Sequence, residues 1–193
     1  MFKDAKSAQM YTGFGKDKRP KGDFYATTPV AVEKLLDREN FGNLVLEPCC
    51  GDGAISKILE VRGFKVISRD LYDWGYGESG RDFLAVPYEA PVDIEAVITN
   101  PPFKLSLEFA IRGLECVKYT NGKVALLNRV QWLEGQKRKP YFEKHLTKVL
   151  VFSKRLPRMH RFDFTGTPSS SMVAFAWFIF ENEKKRNTEL EWI

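Results

Sequence analysis

Short apolar runs that end on a polar residue recur along the chain, and most are followed by a helical pattern. NLVLE (43–47) ends at Glu47, KVISRD (65–70) at Asp70 and VDIEAVITN (92–100) at Asn100. Between and after them lie amphipathic segments at 53–63, 106–119 and 139–146, the first closed by Gly63 and the second stopped by Gly122. A further helix start is written at Thr28-Pro29, with Thr as cap and Pro in the first turn. Strand patterns resume at 123–128, 147–153 and 171–181. Repeated strand–helix–strand units demand an open, mostly parallel α/β sheet. In such sheets ligands bind beyond the carboxyl ends of the strands, so Glu47, Asp70 and Asn100 mark one candidate site.

Composition narrows the classes further. With 193 residues, 44% hydrophobic and 28% charged, the chain is long enough for one core and excludes low-complexity and collagen-like readings. Lys+Arg exceed Asp+Glu by 30 to 25, a mild surplus that permits a polyanionic partner without requiring one. The three cysteines, Cys49, Cys50 and Cys116, form no C-x-x-C pair, and the two histidines, His145 and His160, have no ligand spacing. Neither a disulfide framework nor a metal site is expected, and a reducing, cytoplasmic setting is. Residues 1–23 lack the apolar core of a signal peptide, and the longest apolar run (172–180) is too short to span a bilayer. The reading is a basic, poorly ordered arm at 1–22, one domain at 23–181 and a polar tail at 182–193.

The turn after the first strand, Glu47-Pro48-Cys49-Cys50-Gly51-Asp52-Gly53, allows tight backbone geometry and close approach of a ligand. It is not a dinucleotide fingerprint, because Ser56 stands where the third glycine belongs, and it is no P-loop. Its acids suit a cationic or neutral nucleoside better than a pyrophosphate. LEPCCGDGAI (46–55) resembles motif I of S-adenosylmethionine (SAM)-dependent methyltransferases, and ITNPPF (98–103) resembles motif IV of those that methylate exocyclic amino groups. Together and in this order, they make the chain similar to N6-adenine DNA methyltransferases, particularly the small stand-alone members found in phages and prophages. The resemblance implies a Rossmann-like fold, a mostly parallel seven-stranded sheet with the last strand antiparallel, and SAM as cofactor.

Carried onto this sequence, the resemblance assigns Tyr25, Thr28 and Pro29, from DFYATTP (23–29), to the methionine end of SAM. It assigns Glu47, Pro48, Cys49, Gly51 and Asp52 to the methionine and sulfonium, Asp70 to the ribose hydroxyls, and Leu71 to the adenine ring. Asp82 and Phe83 bind and cover that adenine. Asn100, Pro101, Pro102 and Phe103 become the catalytic group, with Asn100 also at the cofactor. The amino nitrogen of adenine is a poor nucleophile because its lone pair is delocalised into the ring. Two acceptors, the Asn100 side-chain carbonyl and the Pro101 backbone carbonyl, would hold its two N–H groups and stabilise the charge developing there. Phe103 would stack on the extruded base. Cys49 and Cys50 read as packing residues rather than nucleophiles.

The substrate is a planar amino or amide nitrogen. Adenine in DNA is favoured, and RNA (adenine N6 or guanine N2), a glutamine side chain in a protein, and a non-catalytic binding role stay open. Two basic segments are candidates for phosphate contact or for a plain solvated face: Lys137, Arg138 and Lys139 in one, Arg155, Arg158 and Arg161 in the other. Trp132 is either a packing residue or part of a base pocket. Only about 20 residues (154–173) are free for target recognition, so a very short site, little sequence preference, a preference for single strands or a partner chain is expected.

Overall fold

The computed structural model describes residues 25–157, 173–183 and 187–193. The expected arm at 1–22 lies outside them, as do Arg158 and Arg161. The elements, in chain order, are α1 (Pro29–Leu36), β1 (Leu44–Glu47), α2 (Ser56–Val61), β2 (Lys65–Ser68), β3 (Ala96–Thr99), α3 (Ser106–Cys116), β4 (Lys123–Arg129), α4 (Lys139–His145), β5 (Leu146–Val151), β6 (Phe175–Glu181) and β7 (Glu189–Trp192). Pro29 opens α1 as expected, but the Thr28 hydroxyl makes no capping bond and is buried without a partner among the described residues.

The strands form one seven-stranded sheet in the order β2-β1-β3-β4-β6-β5-β7. β1 pairs in parallel with β2 on one side and β3 on the other, so the strand order reverses between β1 and β3. β3 and β4 continue in parallel. β6, the last strand legible in the sequence, runs antiparallel to both β4 and β5. This brings Glu47, Asp70, Asn100 and Arg129 to the same edge, the carboxyl edge of the parallel strands.

Period-two alternation divides the core. Phe175, Trp177 and Ile179 of β6 join Ala125 and Leu127 of β4 on the face covered by α1 and α2. Ala176, Phe178 and Phe180 join Val124 and Leu126 on the face covered by α3 and α4. Trp177 is fully buried and donates its indole N–H to the Ala31 carbonyl at 2.8 Å, locking α1 onto the sheet. Side chains of this size each contribute about 1.5–3 kcal/mol by leaving water. Trp132 takes the packing role, its ring edge-on to Phe142 and Phe178 at 5.0 and 4.9 Å.

The 182–193 stretch, expected as a polar tail, carries β7, which pairs in parallel with β5. Its sequence, ELEW, has little local strand signal. What holds it are the ladder to β5, the Lys148 ammonium at 3.3 Å from Glu191 and 3.8 Å from Glu189, and the burial of Ile193. No helix among the described residues is long and apolar enough to cross a membrane.

Candidate active site

A cleft of about 780 Å3, counted to its open mouth, lies over the carboxyl edge where the strand order reverses. This placement suits a small-molecule ligand. Of the expected cofactor residues, Tyr25, Glu47, Pro48, Cys49, Gly51, Asp52, Asp70, Leu71, Asp82, Phe83 and Asn100 line it. Thr28 and Pro29 do not: they are taken up by the start of α1, and Ala26 and Thr27 face the cleft instead.

The turn after β1 forms the floor. Gly51 and Gly53 adopt φ of 55° and 82°, and the Gly53 N–H donates to the Cys50 carbonyl at 2.8 Å. A Cβ on Gly53 would stand 2.6 Å from the Tyr76 ring. Gly53→Ala is therefore expected to cost about 1–3 kcal/mol of stability, from left-handed backbone strain and displacement of Tyr76, measured by urea unfolding.

Glu47, at the end of β1, is 1% exposed, and its carboxyl accepts a hydrogen bond from the Ser56 hydroxyl. Burial pushes its pKa well above the usual carboxylate range; the Ser56 bonds oppose this, and the neighbouring Asp70 and Asp52 add to it. A cation delivered to the cleft would relieve the cost of ionising it. Asp52 supplies a second acceptor, because its Oδ1 is buried with no hydrogen-bond partner among the described residues. These two carboxyls suit a ligand that brings a positive charge or N–H donors, and so they fit the methionine end of SAM.

Asp70 carries more structure than its sequence position suggests. Its Oδ2 accepts the Gly51 N–H at 2.9 Å. Its Oδ1 accepts the Tyr72 N–H at 2.8 Å and the Trp74 indole N–H at 3.2 Å. It thus ties the β1 turn to the loop after β2. That loop folds back on β2 through the Glu78 N–H to the Ser68 carbonyl at 2.8 Å, and Glu78 accepts from Arg69 and Arg81. The fold-back brings Tyr72, Trp74 and Arg81 to the cleft. None was singled out in the sequence; the signals that would have found them are that Tyr72 and Trp74 come just after Asp70 and Arg81 just before Asp82. Asp82 accepts its own loop's Leu84 N–H at 2.9 Å, and Phe83 is a core ring packed on Tyr88 and Phe109.

Asn100 follows β3 directly. Its amide nitrogen donates to the Tyr25 carbonyl at 3.2 Å and to the Thr27 hydroxyl at 3.1 Å. A backbone carbonyl can only accept, so the nitrogen must face Tyr25 and the side-chain oxygen must point elsewhere. The segment before α1 thus sets the orientation of the Asn100 carbonyl. The Cys49 thiol packs against the backbone here, 3.2 Å from the Thr99 hydroxyl and 3.3 Å from the Asn100 backbone carbonyl. Burial raises the Cys49 pKa well above its ordinary value and pushes Cys50 up to about 12, so both thiols are neutral and serve packing.

Pro102 lines the cleft, whereas Pro101 and Phe103 lie outside its lining. Phe103 packs 6.0 Å from Phe175, centroid to centroid. The basic segments divide. Lys137 and Lys139 are exposed near the carboxyl edge, Lys139 3.5 Å from Glu143, and Arg155 is exposed after β5. Arg138 turns inward instead, donating to the backbone carbonyls of Trp132 (3.1 Å) and Glu134, so it braces a turn and is a poor candidate for phosphate contact.

No protein-family model matches the chain, and no curated protein matches it in sequence. Solved structures do match in shape. A proposed RNA methyltransferase from Pyrococcus horikoshii is 16% identical, with 94% of this chain and 100% of that one covered at a TM-score of 0.59. A modification subunit of a proposed type I restriction enzyme from Vibrio vulnificus is 14% identical, with 95% of this chain covered at a TM-score of 0.54; the chain spans 51% of that subunit's length. A protein from Lactococcus lactis named as a proposed hemolysin is 13% identical, with 88% of this chain and 94% of that one covered at a TM-score of 0.56. Identities this low speak to architecture and leave the reaction to be argued from the site. That architecture is the Rossmann-like methyltransferase fold.

Proposed function

We propose that this protein is a SAM-dependent methyltransferase that transfers a methyl group to the exocyclic N6 of adenine in DNA. The observation that carries the reading is the meeting of two elements at one cleft: the acid-bearing glycine turn after β1, and Asn100 and Pro102 after β3. SAM, when bound, supplies an electrophilic methyl on a positively charged sulfur. Glu47 and Asp52 would hold its methionine end, and Asp70 with the loop it anchors would hold the nucleoside end.

The rest of the chemistry belongs to the substrate side. The Asn100 carbonyl, fixed by the Tyr25 and Thr27 contacts of its amide nitrogen, and the Pro101 carbonyl would accept the two N–H groups of the target amine. Their preset dipoles stabilise positive charge as it develops on nitrogen, with no reorganisation during the reaction. Two consecutive prolines hold the turn stiff. Positioning nitrogen and methyl in line supplies the remaining acceleration.

The test is transfer of labelled methyl from SAM to duplex DNA, single-stranded DNA and RNA in parallel, followed by nucleoside analysis. N6-methyldeoxyadenosine supports the reading. N6-methyladenosine or N2-methylguanosine from RNA alone would assign the same chemistry to the other nucleic acid. Transfer to none of them, with SAM bound, would overturn it.

A further inference from the structure

Arg129 ends β4 at the same edge as Asn100, outside the cofactor cleft. Its mounting is rigid. The Arg129 N–H donates to the Asn128 side chain at 2.7 Å, the Asn128 amide donates to the Ser106 hydroxyl at 2.8 Å, and that hydroxyl donates to the Phe103 carbonyl at 3.1 Å. The relay fixes the end of β4 to the turn that follows Asn100-Pro101-Pro102. Above it, the Arg129 guanidinium lies 4.9 Å from the Phe103 ring centroid.

Two features of this arginine are unexplained by folding alone. Its Nε is buried with no hydrogen-bond partner among the described residues, and an arginine at the rim of a sheet ordinarily finds a carboxylate or carbonyl. No ion pair to Arg129 is formed by the described residues either, whereas Arg62, Arg69, Arg81 and Arg112 each pair with a carboxylate. The guanidinium also covers the Phe103 ring, which an extruded base would need for stacking. A donor group lacking its acceptor, beside the catalytic turn and on the base platform, is placed to meet an acceptor that arrives with the substrate.

We propose that Arg129 binds a backbone phosphate of the strand that carries the target base. This rests on the reading of the substrate as a nucleic acid. In the free protein the guanidinium rests on Phe103; when the strand binds, the guanidinium moves to a phosphate and gives up the ring face to the base. Among groups on a nucleic acid, the phosphate matches the planar guanidinium fork best and is available whatever the sequence.

The experiment measures steady-state methyl transfer to DNA over a range of salt concentrations for the wild type, Arg129→Gln and Arg129→Lys. Arg129→Gln is expected to raise the KM for DNA about tenfold and to flatten the dependence of log KM on log salt by about 0.7 to 0.9, the loss of one phosphate contact. SAM affinity and kcat at saturating DNA should be retained. Arg129→Lys should keep the wild-type salt slope, because it keeps the charge. If the Gln variant does not fold, Arg129→Met, which leaves an apolar side chain on Phe103, is read in its place. A wild-type slope in the neutral variant would overturn the proposal and leave Arg129 a packing residue. Absence of transfer by the wild type to any nucleic acid would instead overturn the reading of the site, and this proposal with it.

Discussion

Asn100→Ala is expected to lower methyl transfer by roughly 10²–10³-fold, the loss seen when one preset dipole is removed from a developing charge. SAM binding should persist, because the carboxyls proposed to hold the methionine end stand on the β1 turn and not on β3. The effect should appear in kcat rather than in KM for SAM. Single-turnover kinetics with SAM prebound separates the two. Equal activity in wild type and variant would remove Asn100 from the mechanism and, with it, the argument from the Tyr25 and Thr27 contacts that orient it.

Glu47→Gln is expected to move stability and cofactor binding in opposite directions. Burial raises the folded-state pKa of Glu47 well above its ordinary value of 4.5. The folded protein therefore prefers the protonated carboxyl more than the unfolded chain does. The stability this contributes is complete below about pH 4.5 and is lost as pH rises through the raised folded value. Glutamine, which cannot ionise, escapes that loss. The SAM-free variant should match the wild type in acid and exceed it progressively as pH rises above about 4.5 toward the raised folded value, read from urea midpoints across pH. SAM affinity should fall roughly 10–100-fold, as when a charge-assisted hydrogen bond is lost. Calorimetry in buffers of different ionisation enthalpy should also show that the wild type releases a proton on binding SAM below the raised pKa, and that the variant does not. A variant no more stable than the wild type at high pH would sink the assignment of Glu47 as a strained, ligand-directed acid.

The parts of this fold that follow from local periodicity were readable in the amino-acid sequence. β1, β3 and β4 alternate apolar side chains between two helical layers, so their burial writes itself into the pattern. Glu47, Asp70 and Asn100 were readable as a group because a parallel sheet delivers its strand ends to one edge. What was not readable depends on partners distant in sequence. β7 exists because Lys148 and the free edge of β5 await it, and the four alternating residues Glu189-Leu190-Glu191-Trp192 are too short a run to announce a strand by themselves. The basic look of Gln136-Lys137-Arg138-Lys139 hid that Arg138 is spent on the carbonyls of Trp132 and Glu134. Tyr72, Trp74 and Arg81 reach the cleft because the Glu78 backbone bridges to β2, a contact with no local signature.

The place of β6 in the sheet bears on how the molecule is made. β6 separates β4 from β5 and supplies the antiparallel ladder to each, yet it comes after both in the chain. Until residues 175–181 emerge from the ribosome, β4 presents one unpaired edge and β5 has no strand partner at all. The indole that fastens α1 also belongs to β6 and lies 146 residues from its acceptor. The nascent protein therefore carries its cleft and its Asn-Pro-Pro turn on a half-finished sheet until β6 makes its late pairings of high contact order. Temperature-sensitive expression defects should accordingly cluster in β6, far from the chemistry, and respond to chaperone supply rather than to SAM.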